Sequence, residues 1–165
     1  MRRPPIALLL AALLPGCGTS QALRGAADAA PPYEAVADVR QTMEWILTPA
    51  ADVIWDSAGT IITAEGRTEL APTTHEGWAN VRNHAAIVAE TGNLLMMPGR
   101  AAGADWIAYA RNLQTTGKRA MEAAEARDAD ALFDAGGQIY QACLACHQRY
   151  LVPDDQARGS LSLLW

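Results

Sequence analysis

From residue 36 onward, apolar side chains return at every third or fourth position. Val36, Val39, Met43, Ile46, Ala50, Val53 and Ser57 follow a 3-4-3-4-3-4 spacing, the seam of a helix packed against other helices. The pattern predicts a first helix over about residues 33–58. Pro49 lies inside it and should kink it or split it after Thr48. Gly59 suits the C-cap. A connection, GTIITAEGRTELAPT, follows over 59–73, from which Ile61 and Ile62 could fold back onto the helices.

Thr73 and Glu76 then form a capping box for a second helix, whose stripe is Trp78, Val81, Ala85, Val88, Gly92 and Leu95. Pro98-Gly99-Arg100 ends it. A third helix over about 102–127 carries Trp106, Ala110, Leu113, Gly117, Ala120 and Ala124. Asp128 can cap a fourth, which turns Leu132, Gly136, Ile139, Cys143, Cys146 and Tyr150 inward. Gly136 and Gly137 interrupt that helix, at about 1 kcal/mol each relative to alanine. They suggest close approach of a neighbouring helix or ligand, or a kink. Neither repeats nor strand-like alternation stand out. The expected fold is all-α, an antiparallel four-helix bundle over 33–165.

Composition agrees. Half of the 165 residues are apolar, alanine is abundant, and β-branched and aromatic residues are sparse, which favours helix. The start, MRRPPIALLLAALLPGC, has a different logic. Arg2 and Arg3 precede a short apolar run from Ile6 to Leu14, the layout of a secretory signal over residues 1–16. That run is too short to span a membrane, which takes about 20 apolar residues. Leu-x-Gly-Cys at residues 14–17 resembles the lipobox of bacterial lipoproteins and makes Cys17 a candidate lipid anchor. The rival is ordinary cleavage after SQA or GAADAA. Residues 17–32, small, polar and closed by two prolines, read as a flexible tether. Both routes place the domain outside the cytoplasm, in the periplasm or held at a membrane. Loss of residues 1–16 takes the formal charge from −5 to −7 by removing two arginines. Such a chain does not bind nucleic acid by counterion release; it could dock on a basic partner, or the charge only maintains solubility.

The chemistry is concentrated in YQACLACHQRY at residues 140–150. Cys143 and Cys146 are i, i+3 and His147 is i, i+4 from Cys143, so all three fall within one turn of the fourth helix. A thioredoxin-like pair needs a βαβ setting, which the pattern lacks. A structural zinc site needs four ligands, and His75 and His84 stand alone. Cys-x-x-Cys-His is the attachment signature of c-type haem. Two thiols add to the two vinyl groups on one edge of the porphyrin, and the following imidazole reaches the iron. One covalent haem c per chain is therefore expected.

CLACH on the last helix of a bundle, with VRQTM on the first, resembles the class II cytochromes c, namely cytochrome c′ and its low-spin relatives, over about residues 33–152. The resemblance implies an electron carrier of the periplasm whose first helix covers the distal face of the haem. Met43, after Arg40-Gln41, is then the candidate sixth ligand; alternatively it only fills the core. Arg40 is a candidate partner for a haem propionate, or a solvated helix-edge arginine. Met96, Met97, Met121 and His84 are weaker ligand candidates. The resemblance equally allows a five-coordinate, cytochrome c′-like protein binding nitric oxide or carbon monoxide. A haem enzyme such as a peroxidase ranks last, for want of a well-placed second histidine. The expected partners are redox proteins of the periplasm or inner membrane, and family members often dimerise through their first two helices.

Overall fold

The computed structural model describes residues 33–151. The signal, the tether, Cys17 and the segment after Leu151 lie outside the described residues. The described chain is mostly helical and carries one small β-hairpin.

The first helix has three consecutive parts: α1 (Val39–Thr42), a π-helical turn (Met43–Leu47) and α2 (Thr48–Trp55). Its start is fixed at Asp38. The Asp38 carboxylate accepts from the Gln41 backbone N–H at 2.7 Å while the Gln41 side chain accepts from the Asp38 N–H at 3.0 Å. This reciprocal capping starts the helix later than expected, and Val36 is left 91% exposed. Pro49 does not split the helix. It sits in the first turn of α2, just past a turn closed by a Thr48 N–H bond to the Met43 carbonyl. The wider turn makes room for a ring that has no N–H to give.

The extra residue in that turn also shifts the buried face. Thr42, Leu47, Ala50, Ala51 and Ile54 are buried, whereas Val39, Met43, Ile46 and Val53 are only half-buried. The expected seam is thus one residue out of phase for most of its length, meeting the observed one at Ala50.

The connection after the first helix is an antiparallel hairpin, β1 (Thr60–Thr63) with β2 (Gly66–Glu69), in which Thr60 pairs with Glu69 and Thr63 with Gly66. It corrects the expectation of a plain link. Ile61 and Ile62 do not fold back; they are 50% and 75% exposed.

Helix α3 (His75–Leu95) is capped by Thr74, whose hydroxyl accepts from the Gly77 N–H, rather than by Thr73. Helices α4 (Ala104–Ala126) and α5 (Ala129–Tyr150) follow, the latter capped by Asp128 as expected. Every residue of the expected α3 and α4 stripes is buried. The two helices run antiparallel at close range: a Cβ on Gly117 would lie 2.7 Å from the Ala89 nitrogen and 2.9 Å from its Cα. Helix α5 packs on α4 and on α2, and α3 packs on the first helix. The core is rich in alanine, with Ile54, Val81, Val88, Leu132 and Ile139 as its largest fully buried apolar side chains. Among the described residues no helix is long and apolar enough to cross a membrane.

Candidate haem site

Hydrogen bonds and ring contacts sort the helix termini into two ends. At one end, the Arg100 guanidinium donates to the Ala37 carbonyl ahead of α1 and to the Leu94 carbonyl of α3. The Trp106 indole of α4 donates to the Leu95 carbonyl at 2.7 Å, and its ring lies 5.0 Å from that of Tyr150 on α5. At the other end, the Trp55 indole donates to the Gly136 carbonyl at 3.0 Å, and Arg127 donates to His75.

The Trp55–Gly136 bond sets the level of the first helix against α5. Met43 lies twelve residues before Trp55 and His147 eleven residues beyond Gly136. At about 1.5 Å per residue both are roughly 17 Å from that bond, at the same end. Met43 is half-buried and packs against the core. Arg40, one turn earlier, is exposed and paired with Glu44 at 2.7 Å, its side chain 84% accessible.

On α5 the buried stripe runs through Leu132, Ala135, Gly136, Ile139 and Ala142. Then it weakens. Cys143 through His147 are five consecutive half-buried residues, so the described side chains do not fully cover this end. Both cysteines are free thiols. Burial, with a smaller contribution from Cys146, pushes the Cys143 thiol up to about 11. Burial also raises Cys146 and lowers His147. Near neutral pH the turn therefore presents two protonated thiols and an uncharged imidazole. Thiols are what add across vinyl groups, and neutral imidazole is the form that binds iron. Among the described residues the His147 ring has no hydrogen-bond partner.

The alternative ligands are placed otherwise. His84 faces the Asn80 carbonyl at 2.8 Å on its own helix, and His75 is exposed beside Arg127. Met97 accepts from Arg100 at 3.4 Å, and Met121 is half-buried against the core. Among the described residues no three His, Cys, Asp or Glu side chains gather to hold a bare metal ion. A haem asks less of the protein: two thiols, one imidazole and an apolar setting. Cys143, Cys146 and His147 are side chains of those types within one turn of α5.

Gly136 explains itself: an added Cβ would stand 3.3 Å from the Trp55 ring. Gly137 faces open space. It borders two open grooves beside α5, of about 600 and 380 Å³, neither of which reaches Cys143 or His147.

Sequence reasoning missed three neighbours of this site. Tyr109 lies 6.1 Å from Tyr150 and extends the aromatic wall begun by Trp106. The π-turn opens at Met43. Arg100, read only as part of a helix stop, is buried. No protein family, no curated protein and no solved structure matches the chain.

Proposed function

We propose that this protein is an exported c-type cytochrome, an antiparallel four-helix bundle with one haem c tethered to α5, and that it carries electrons rather than catalysing a reaction on a substrate. The observation that carries the reading is the common level of Met43 on the first helix and His147 on α5, at the end where the described side chains leave residues 143–147 half-covered. Haem c, when bound, supplies a one-electron couple between ferric and ferrous iron.

The chain's own residues do the rest. Cys143 and Cys146 would hold the ring on α5 through two thioethers, each thiol S–H adding across one vinyl group. His147 would supply a nitrogen and Met43 a sulfur to the iron, a ligand pair that would raise the potential. The Trp106–Tyr150–Tyr109 cluster excludes water near the proximal turn. The π-turn, a feature frequent at functional sites, sets Met43 one residue away from the fully buried face, where it is half-buried against the core. The secretory signal supports assembly outside the cytoplasm, and the partners are redox proteins met there. Cys17 is the proposed lipid anchor.

The test is the spectrum of protein expressed with a haem-attachment system. A covalent haem with a low-spin ferric spectrum, a thioether-to-iron charge-transfer band and slow carbon monoxide uptake is expected. Met43→Ala should turn the iron high-spin and open it to carbon monoxide. A high-spin wild type that binds carbon monoxide readily would overturn the carrier reading in favour of a gas binder. An unchanged low-spin Met43→Ala spectrum would exclude Met43.

A further inference from the structure

Arg100 is 9% exposed and makes four contacts, all to uncharged acceptors. Its Nε and Nη2 donate to the Ala37 carbonyl at 3.2 and 2.6 Å, and its Nη1 to the Leu94 carbonyl at 2.9 Å and to the Met97 sulfur at 3.4 Å. Carbonyls at the end of α3 suit a cation, but they carry no net charge. Among the described residues the ion pairs are Arg40–Glu44 and Arg67–Glu69, and no described carboxylate pairs with Arg100. A buried cation without an anion is strongly disfavoured. A guanidinium has five N–H groups, so one Nη2 donor remains for such an anion.

Arg100 sits at the end that holds Met43 and His147, through its bonds to Ala37 and Leu94. It belongs to the link after α3, and α3 packs on the first helix and α4, the two neighbours of α5. Arg100 thus lies across the helices from the cysteines. In a haem the vinyl and propionate groups occupy opposite edges. A ring tethered to α5 by its vinyl edge turns its carboxylates away from α5.

We infer that Arg100 is a haem-binding residue whose buried guanidinium pairs with one propionate. This rests on the haem reading above, and deepens it by naming the counter-charge. Arg40, by contrast, is exposed and already has a counter-charge in Glu44.

The experiment uses the holoprotein. A pyridine haemochrome assay first establishes that haem c is attached; its absence would sink the haem reading, on which this assignment depends. In haem-loaded wild type, the propionate bending mode in resonance Raman should have the frequency of a carboxylate bonded to a strong donor. Arg100→Gln should shift that mode and lower the midpoint potential, because a cation near the ring favours the ferrous state. Arg100→Lys should keep most of the potential. Arg119→Gln, which removes an exposed cation bonded to Gln138, should leave both readouts unchanged. An unbonded propionate in the wild type overturns the assignment without any variant. So does an Arg100→Gln potential equal to that of Arg119→Gln.

Discussion

Two glycines with similar sequence settings have opposite consequences. Gly117 lies in the middle of α4, where the chain meets the backbone of α3. A methyl group there would stand 2.7 and 2.9 Å from the Ala89 nitrogen and Cα, and backbone cannot swing aside as a side-chain tip can. Gly117→Ala should therefore lower the unfolding free energy by about 1–3 kcal/mol, the usual penalty for overpacking. Gly137 lies within α5 with nothing inside 4 Å of an added Cβ. Gly137→Ala should raise stability by about 0.5–1 kcal/mol, the helix-propensity difference. Chemical denaturation of the two holoprotein variants checks both signs. If both changes were neutral, α3 and α4 would not approach at Gly117 as closely as they do here. Leu132, Ile139 and the α3 and α4 stripes were legible from periodicity, because straight helices keep one phase from end to end. The same periodicity put Gly136 on the inward stripe, but that it meets Trp55 was not legible, because the contact joins residues far apart in the chain.

At the scale of elements, the sequence misled wherever local rules met a competing constraint. The first helix was read as one seam because its apolar spacing is regular. The π-turn adds a residue to one turn, and Leu47 and Ile54 take the buried positions that Ile46 and Val53 were expected to fill. The hairpin was missed for another reason. Neither strand buries a face, so β1 and β2 lack the apolar–polar alternation that betrays half-buried strands. Polar contacts help to hold it instead. The Thr60 hydroxyl donates to the Glu69 carboxylate at 2.7 Å, and Arg67 donates to the same group at 2.6 Å. These contacts, Thr60 first, hold the Glu69 carboxyl below its usual value of 4.5. A carboxylate depressed in the folded state contributes stability above its unfolded pKa and loses it as pH falls through the folded value. The hairpin amides should lose their folded chemical shifts as pH falls below 4.5 and through the depressed Glu69 value, before those of α3 and α4. Glu69→Gln should abolish this pH response; if the hairpin of that variant frayed at the same pH as wild type, Glu69 would not be the group responsible.

Across the whole molecule, packing is uneven from one end to the other. Toward the Trp55–Gly136 end the core contains Ile54 and Leu132, both fully buried. Toward the Met43–His147 end the fully buried side chains include two threonines, Thr42 and Thr91, and Arg100 is buried at the same end. Their hydroxyls turn back to the Asp38 and Ile87 carbonyls, so they contribute little apolar contact there. Cys143 through His147 are half-covered at this same end. Cys-x-x-Cys-His was legible in the sequence because the spacing alone specifies one helical turn. The matching level of Met43 was not, because it depends on the long-range bond between Trp55 and Gly136. If the proposed haem binds here, a domain built this way is expected to draw on it to finish the core, as a ligand bound only to the native state stabilises that state. The double variant Cys143→Ser, Cys146→Ser removes the tether while leaving every helix cap intact. Its helices should still form, with α3 and α4 protected from amide hydrogen exchange around Val81–Val88 and Leu113–Ala120. Protection should fall by tenfold or more, relative to the holoprotein, in two segments: residues 143–150 of α5 and residues 39–47 of the first helix. A tenfold loss corresponds to about 1.4 kcal/mol of local opening. Uniform protection, equal to that of the holoprotein at both ends, would mean that the protein closes its own core and that the half-covered turn at His147 is not awaiting a partner.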